Sequence, residues 1–187
     1  MKPELSNPSQ GKLLVSEPFL KDYYFKRSVI LLAEHGDDGS FGLIINKPID
    51  IKINDVYSDF PRFDSKVYLG GPVKPDNLFM LHTVGEKIDG SIEIMKGLYW
   101  GGNIETLKTL IANEEVVPDQ FRFFVGYAGW QPKQLDKELE EHSWLVIKEE
   151  LDQILGVSPE SLWKNVLKNL GKDYAQWVNY PLDPILN

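Results

Sequence analysis

The 187-residue chain contains no cysteine. Disulfide staples, thiol nucleophiles, cysteine-ligated zinc and iron–sulfur clusters are therefore excluded. Histidine is almost as scarce, with only His35, His82 and His142. No two of them stand at the i, i+4 spacing of a helical zinc motif, so a histidine metal site would need long-range convergence. No metal and no cofactor is expected. Long hydrophobic runs are missing too: stretches such as residues 29–33 fall far short of the roughly 20 apolar residues of a membrane span. The opening residues 1–8 are polar and proline-broken, without the apolar core of a signal peptide. A cytoplasmic protein with no membrane partner is expected. Clustered positive charge is the last absence. The net charge is −8 with a pI near 4.9, and only residues 1–30 are net positive. Non-specific nucleic-acid binding depends on clustered Lys and Arg that neutralise phosphates, so direct nucleic-acid contact is disfavoured.

What is present is core material: 42% hydrophobic residues, with 5 Trp, 8 Tyr and 9 Phe. That suits one domain over 1–187, with 1–10 as a flexible or loosely packed N-terminus. Residues 12–15 read as a short strand. Residues 28–35 and 40–46 form a β-hairpin around Gly36-Asp37-Asp38-Gly39, whose residues tolerate positive φ. Apolar residues at 3–4 spacing from Ile53 to Phe60 predict a short helix stopped by Pro61. Strands are expected at 66–69, 78–83, 91–94, 121–125 (closed by Gly126) and 144–147. Helices are expected from the Asn103 cap to Ala112, over 132–141, and from the Ser158 cap and Pro159 to Gly171. Strands dominate early and helices late without regular alternation. The fold class is α+β, a single domain with a small, mostly antiparallel β-barrel or strongly curved sheet flanked by helices.

Several local signatures occur in one order. They are Gly11-Lys12-Leu13-Leu14, Phe25-Lys26-Arg27-Ser28-Val29-Ile30, His35, and Phe41-Gly42-Leu43-Ile44-Ile45-Asn46-Lys47-Pro48. Then follow Tyr68-Leu69-Gly70-Gly71-Pro72-Val73, Leu81-His82, and Gly126-Tyr127-Ala128-Gly129-Trp130. Gln134-Leu135, Glu138, Trp144, Leu162-Trp163, Gly171, Tyr174-Ala175, Asp183-Pro184 and Asn187 complete the set. In this combination the chain resembles the bacterial AlgH family, known also through its YqgE members, from about Gly11 to Asn187. The resemblance implies a compact α+β fold with a small β-barrel and flanking helices. It implies no established activity, although members commonly carry the label of transcriptional regulator. Gln131-Pro132-Lys133 departs from relatives that place small residues or glycine there, and Pro132 should stiffen the following helix start.

Each candidate group has a structural reading beside a functional one. Gly70 and Gly71 could turn backbone amides into an anion-binding nest; a tight barrel corner is favoured. Gly126, Tyr127, Gly129 and Trp130 could present aromatic faces to a flat ligand, with free amides at the next helix start. Core packing of Trp130 is the favoured alternative. Gln134, Glu138 and His142 would share one helix face if the helix runs that far, and a carboxylate beside an imidazole could move protons; a solvated face is favoured. Arg27-Ser28, His35 and His82 could assemble a nucleophile and base, but no nucleophile elbow is present. Asn46 suits backbone stabilisation next to Pro48, with a ligand contact as the other possibility. No catalytic residue is assigned. The candidate ligand or partner surface is Asn46, Gly70, Gly71, Gly126, Tyr127, Gly129, Trp130, Gln134 and Glu138.

Three functional classes follow. The leading one is a binding or regulatory module, monomeric or weakly oligomeric, whose partner is a protein or a small molecule. The alternatives are a transcriptional regulator contacting DNA directly and a hydrolase-like enzyme built from serine, histidine and carboxylates.

Overall fold

A computed structural model describes residues 4–181. The strands are β1 (Glu4–Leu5), β2 (Leu13–Ser16), β3 (Val29–Gly36), β4 (Gly39–Ile44), β5 (Pro48–Lys52), β6 (Lys66–Leu69), β7 (Val73–His82), β8 (Ser91–Met95), β9 (Leu98–Gly101), β10 (Phe121–Trp130) and β11 (Trp144–Lys148). The helices are α1 (Ile53–Val56), α2 (Ile104–Ala112), α3 (Gln134–Glu140), α4 (Leu151–Leu155), α5 (Pro159–Leu170) and α6 (Lys172–Ala175). Asp183, Pro184 and Asn187 lie outside the described residues.

The hairpin forms where the turn chemistry placed it. Gly36 pairs with Gly39 across Asp37-Asp38, and a bulge at Ala33 shifts the register between Leu32 and Glu34. The strands join in the order β1-β11-β2-β3-β4-β10-β7-β9-β8, with β6 also on β10 and β5 on β6. Among the described pairings only β6 with β10 is parallel. This single sheet does not close, which corrects the barrel expectation and leaves the curved, mostly antiparallel sheet. In the N-terminal segment, Leu5 pairs with Ile147, and the Ser6 amide donates to the Val146 carbonyl at 2.9 Å.

Strand β10 organises the molecule. Its first half lies between β6 and β7, and its last three residues pair with β4. The sequence suggested that Gly126 closes this strand. Instead the strand continues through Gly126 as a bulge between Val125 and Tyr127, with φ of +68°. A bulge of this kind bends the strand without ending it. Here the Gly70-Gly71 corner crosses β10. A Cβ on Gly126 would lie 2.2 Å from the Gly71 carbonyl oxygen, and one on Gly70 would lie 2.2 Å from that of Gly126. The Gly70 amide donates to the Val125 carbonyl at 2.8 Å, while its own carbonyl accepts from the Ile44 amide at 2.9 Å.

Apolar side chains alternate between the two faces of the sheet. Leu13, Val15, Leu31 and Leu43 join a core closed by Leu162, Trp163, Val166 and Leu167 of α5. Leu14, Ile30 and Ile44 join Trp130, Leu135 and Trp144 on the opposite side. Because both faces are covered, Leu13, Leu14 and Val15 of β2 form an apolar run instead of alternating. A third core gathers Phe60, Phe63, Phe121 and Phe123 beneath Leu107 and Ile111 of α2. Burying each such side chain contributes about 1.5–3 kcal/mol. Helix α2 starts where its cap predicted: Asn103 Oδ1 accepts from the Glu105 and Thr106 amides at 2.8 and 3.1 Å. Ser158 occupies the cap position of α5, but its hydroxyl donates to Glu160 Oε2 at 2.6 Å and caps no amide.

Candidate functional site

The residues singled out from sequence fall into separate structural clusters. Asn46 is buried and serves the neighbouring strand's backbone. Its Oδ1 accepts from the Val29 amide at 2.8 Å and its Nδ2 donates to the Arg27 carbonyl at 3.0 Å. Both bonds brace Arg27, whose φ of +51° is left-handed and therefore strained for a residue with a Cβ. The adjacent Lys47 ammonium donates to the Tyr24 carbonyl. Burial lowers its pKa to about 8, partly opposed by Asp22.

Trp130 is 5% exposed, set between Phe25 and Trp144. Its indole N–H and that of Trp144 both donate to Glu138 Oε2 at 2.8 Å. The other carboxylate oxygen accepts from Gln134 Nε2 at 2.9 Å, whose own oxygen accepts from the Gln131 amide at 3.0 Å. Gln134 and Glu138 thus share a helix face and join this network. His142 does not, because α3 ends at Glu140 and His142 sits beyond it with φ of +59°. The helix also begins at Gln134, two residues later than expected, since Lys133 at its cap is left-handed. Tyr127 belongs to an aromatic cluster, its ring centroid 4.8 Å from that of Phe41 and 5.6 Å from that of Phe79. Tyr127, Gly129 and Trp130 border a shallow depression of about 310 Å³ with Glu34 and Asp38; Gly70, Gly71 and Gly126 do not.

His35 and His82 each contact a serine, while His82 Nδ1 is buried without a partner. His35 Nδ1 lies 2.8 Å from Ser40 Oγ across the hairpin. His82, buried and stacked between Tyr99 and Phe121, has Nε2 at 2.9 Å from Ser91 Oγ. Ser91 Oγ also lies 2.7 Å from the Ile88 carbonyl, which can only accept. The single hydroxyl proton therefore points at Ile88, and His82 must donate to Ser91. A serine activated by histidine needs the reverse polarity. Burial lowers the His82 pKa, partly offset by the Gly101 backbone. Among the described residues, no three His, Asp or Glu side chains gather to hold a metal, and no helix is long and apolar enough to cross a membrane.

A larger cavity of about 460 Å³ opens at the start of β10. Its lining mixes apolar Leu81, Leu98, Pro118, Phe121 and Leu155 with polar Ser65, Tyr68, His82, Gln120 and Arg122. Arg122 lies opposite Leu81 in the β10–β7 ladder. Its Cζ stands 5.5 Å from the centroid of the Tyr68 ring, and Nη2 donates to the Leu155 carbonyl at 3.1 Å. Leu155 ends α4, where unpaired carbonyls attract cations. Nη1 is shielded from solvent and has no partner. No carboxylate among the described residues forms an ion pair with Arg122. Burial lowers its pKa, with Tyr68 opposing, yet a guanidinium stays charged. Leaving a buried donor unmatched costs about 1–3 kcal/mol, which marks it as a group in want of an explanation. Lys66, Asp64 and Asp119 are exposed members of the lining, and Asp64 is already bridged to Lys52.

With this geometry in view, the similarities to known proteins place the chain. A family model described as AlgH-like (DUF179) matches residues 13–175. The chain belongs to the AlgH-like family. It is 46% identical over 180 residues to a UPF0301 protein of Cytophaga hutchinsonii, covering 96% of this chain and 99% of that one. It is 44% identical over 181 residues to a UPF0301 protein of Bacteroides thetaiotaomicron, covering 96% and 92%. The solution structure of AlgH from Pseudomonas aeruginosa superposes with a TM-score of 0.73 at 26% identity, covering 95% and 98%. The crystal structure of protein DIP2367 from Corynebacterium diphtheriae gives a TM-score of 0.78 at 22% identity, covering 93% of each chain, and so supports the fold.

The AlgH-like motifs at Asn46, Gly70-Gly71 and Trp130 thus sit at backbone braces, a chain crossing and a core network. Sequence reading missed the Arg122 cavity. A usable signal was present: one arginine inside Phe121-Arg122-Phe123-Phe124-Val125, an otherwise apolar strand. Charged side chains rarely enter such a run unless paired or functional.

Proposed function

We propose that this AlgH-like protein is a cytoplasmic binding module that holds a small molecule and acts through its presence or absence, without turnover. The observation that carries the reading is the cavity at the start of β10, of about 460 Å³ and within the size range of small-molecule sites. Its lining mixes polar and apolar side chains, with Arg122, His82 and Gln120 among the polar ones. Its histidine donates to Ser91, whose proton faces Ile88, so this pair supplies no activated nucleophile. The surface around Tyr127, Gly129 and Trp130 is a weaker candidate. Its depression is smaller and the Trp130 indole is tied to Glu138.

Native mass spectrometry of the protein, purified gently from its own host, tests the reading. A 1:1 non-covalent adduct of small-molecule mass above the 21.4 kDa chain, released on denaturation, is the expected result. A spectrum of bare chain alone, or of chain bound to nucleic acid, would contradict it.

A further inference from the structure

The tip of the β3–β4 hairpin borders a second surface, separate from the cavity. We infer that the shallow depression there docks a basic side chain, arginine or lysine, presented by a partner protein. Three observations converge on this chemistry.

The first is a carboxylate moved onto an aromatic face. Leu31 and Ala33 join the core against which Phe41 packs, and simple alternation would send Glu34 to the other face. The bulge at Ala33 instead sets Glu34 directly opposite Phe41, and residues directly opposite share a face. Bulges re-aim side chains in this way. On its other side Phe41 is opposite Gly129, where a Cβ would lie 2.9 Å from the Tyr127 ring. That ring occupies the space glycine leaves, with its centroid 4.8 Å from that of Phe41. A row across three strands therefore reads carboxylate, phenyl, phenol. Glu34 is exposed and the two rings are half-buried.

The second is the charge of the lining. Glu34 and Asp38 are its charged residues, both negative, and neither forms an ion pair among the described residues. Carboxylates and aromatic rings attract the same class of group, a cation. The alkyl stem of an arginine or lysine suits Phe41, Val73 and Tyr127 of the same lining, leaving its charged head for the carboxylates. The third is shape and net charge. Small-molecule sites bury most of their ligand, whereas a shallow depression of about 310 Å³ suits a side chain held in place by another surface. The net charge of −8 steers basic partners toward the chain and repels a second copy of it.

The test uses the full-length protein and two peptides, acetyl-Gly-Arg-Gly-Arg-Gly-amide and its counterpart with citrulline, the neutral isostere of arginine. Both are titrated at low salt and followed in nitrogen–proton NMR spectra. The arginine peptide should bind about fivefold tighter, the upper scale of a surface ion pair, and shift the amides of Glu34, Phe41, Tyr127 and Gly129. Glu34→Gln should remove most of that preference. Glu86→Gln, which deletes the same charge from an exposed position outside the lining, should retain it. Equal losses in the two variants would reduce the effect to net charge and overturn the site. Equal binding of the two peptides, shifts confined to other regions, or no binding at millimolar concentration would overturn it as well. Free arginine amide binding as tightly as the peptide would replace the docking surface by a small-cation site. A dimer in sedimentation that Glu34→Gln dissolves would overturn the partner in favour of a second copy. The native spectrum from the host judges the cavity reading separately.

Discussion

The two halves of β10 solve the same problem in opposite ways. Past Gly126, the buried indole of Trp130 meets a carboxylate that also takes the Trp144 indole and the Gln134 amide. Before Gly126, the guanidinium of Arg122 meets one helix-end carbonyl and otherwise goes unmatched beside a cavity. Polar groups inside a fold are normally satisfied, so a completed network is explained by folding alone. An incomplete one points outward, to something the chain does not itself contain. The functional motifs read from sequence around Trp130 and Glu138 belong to the first kind, and Arg122 to the second.

The largest expected effect comes from the joint between the halves. Gly126→Ala places a Cβ 2.2 Å from the Gly71 carbonyl oxygen in a left-handed backbone. It should lower the unfolding free energy by more than about 3 kcal/mol in chemical denaturation. A milder loss would mean that the crossing relaxes easily and does not hold the halves apart. Next comes the satisfied half. Glu138→Ala leaves two indole N–H groups without their acceptor and should cost about 2–4 kcal/mol. Glu138→Gln keeps one acceptor oxygen and should cost less than the alanine change.

In the first half, His82 carries a smaller, pH-dependent term. Burial depresses its pKa from the ordinary 6.5, so the unfolded chain takes up a proton that the folded chain refuses. The stabilisation is present above that value and is lost as pH falls, by at most about 1.4 kcal/mol per pH unit. Wild type and His82→Gln, unfolded in parallel at several pH values, should diverge in slope below the ordinary value. Parallel slopes would remove His82 from the account. The smallest stability change is expected at Arg122. Replacing an unpaired buried cation by methionine removes one bond to Leu155 together with a desolvation penalty, and should alter stability by less than about 1 kcal/mol. A loss as large as that of Glu138→Ala would make the guanidinium structural and erase the contrast.

Local chemistry explains which parts were legible in advance. The β3–β4 hairpin and the Asn103 cap depend on residues close in sequence, and each lies where its turn or cap residues placed it. The continuation of β10 through Gly126 was not legible, since it depends on Gly70-Gly71 crossing from far upstream. Sheet closure was not legible either, because strand composition does not reveal whether the two edges meet. Within the candidate site, Glu138 and Gln134 were correctly placed on one helix face, but the two tryptophans that claim the carboxylate come from β10 and β11. Arg122 carried only the faint signal of a charge in an apolar strand. Its significance depends on β6, β7 and α4 converging around it.

The most direct measurement is a nitrogen–proton NMR spectrum of the full-length protein before and after addition of the small-molecule fraction of a host extract. The Trp130 and Trp144 indole signals report on the second half, and the backbone amides near Arg122 report on the first. Shifts are expected around Arg122, Tyr68 and Leu155, with the Trp130 and Trp144 indoles unmoved. Shifts at those indoles with the Arg122 region unchanged would contradict it and return the site to the far half of β10.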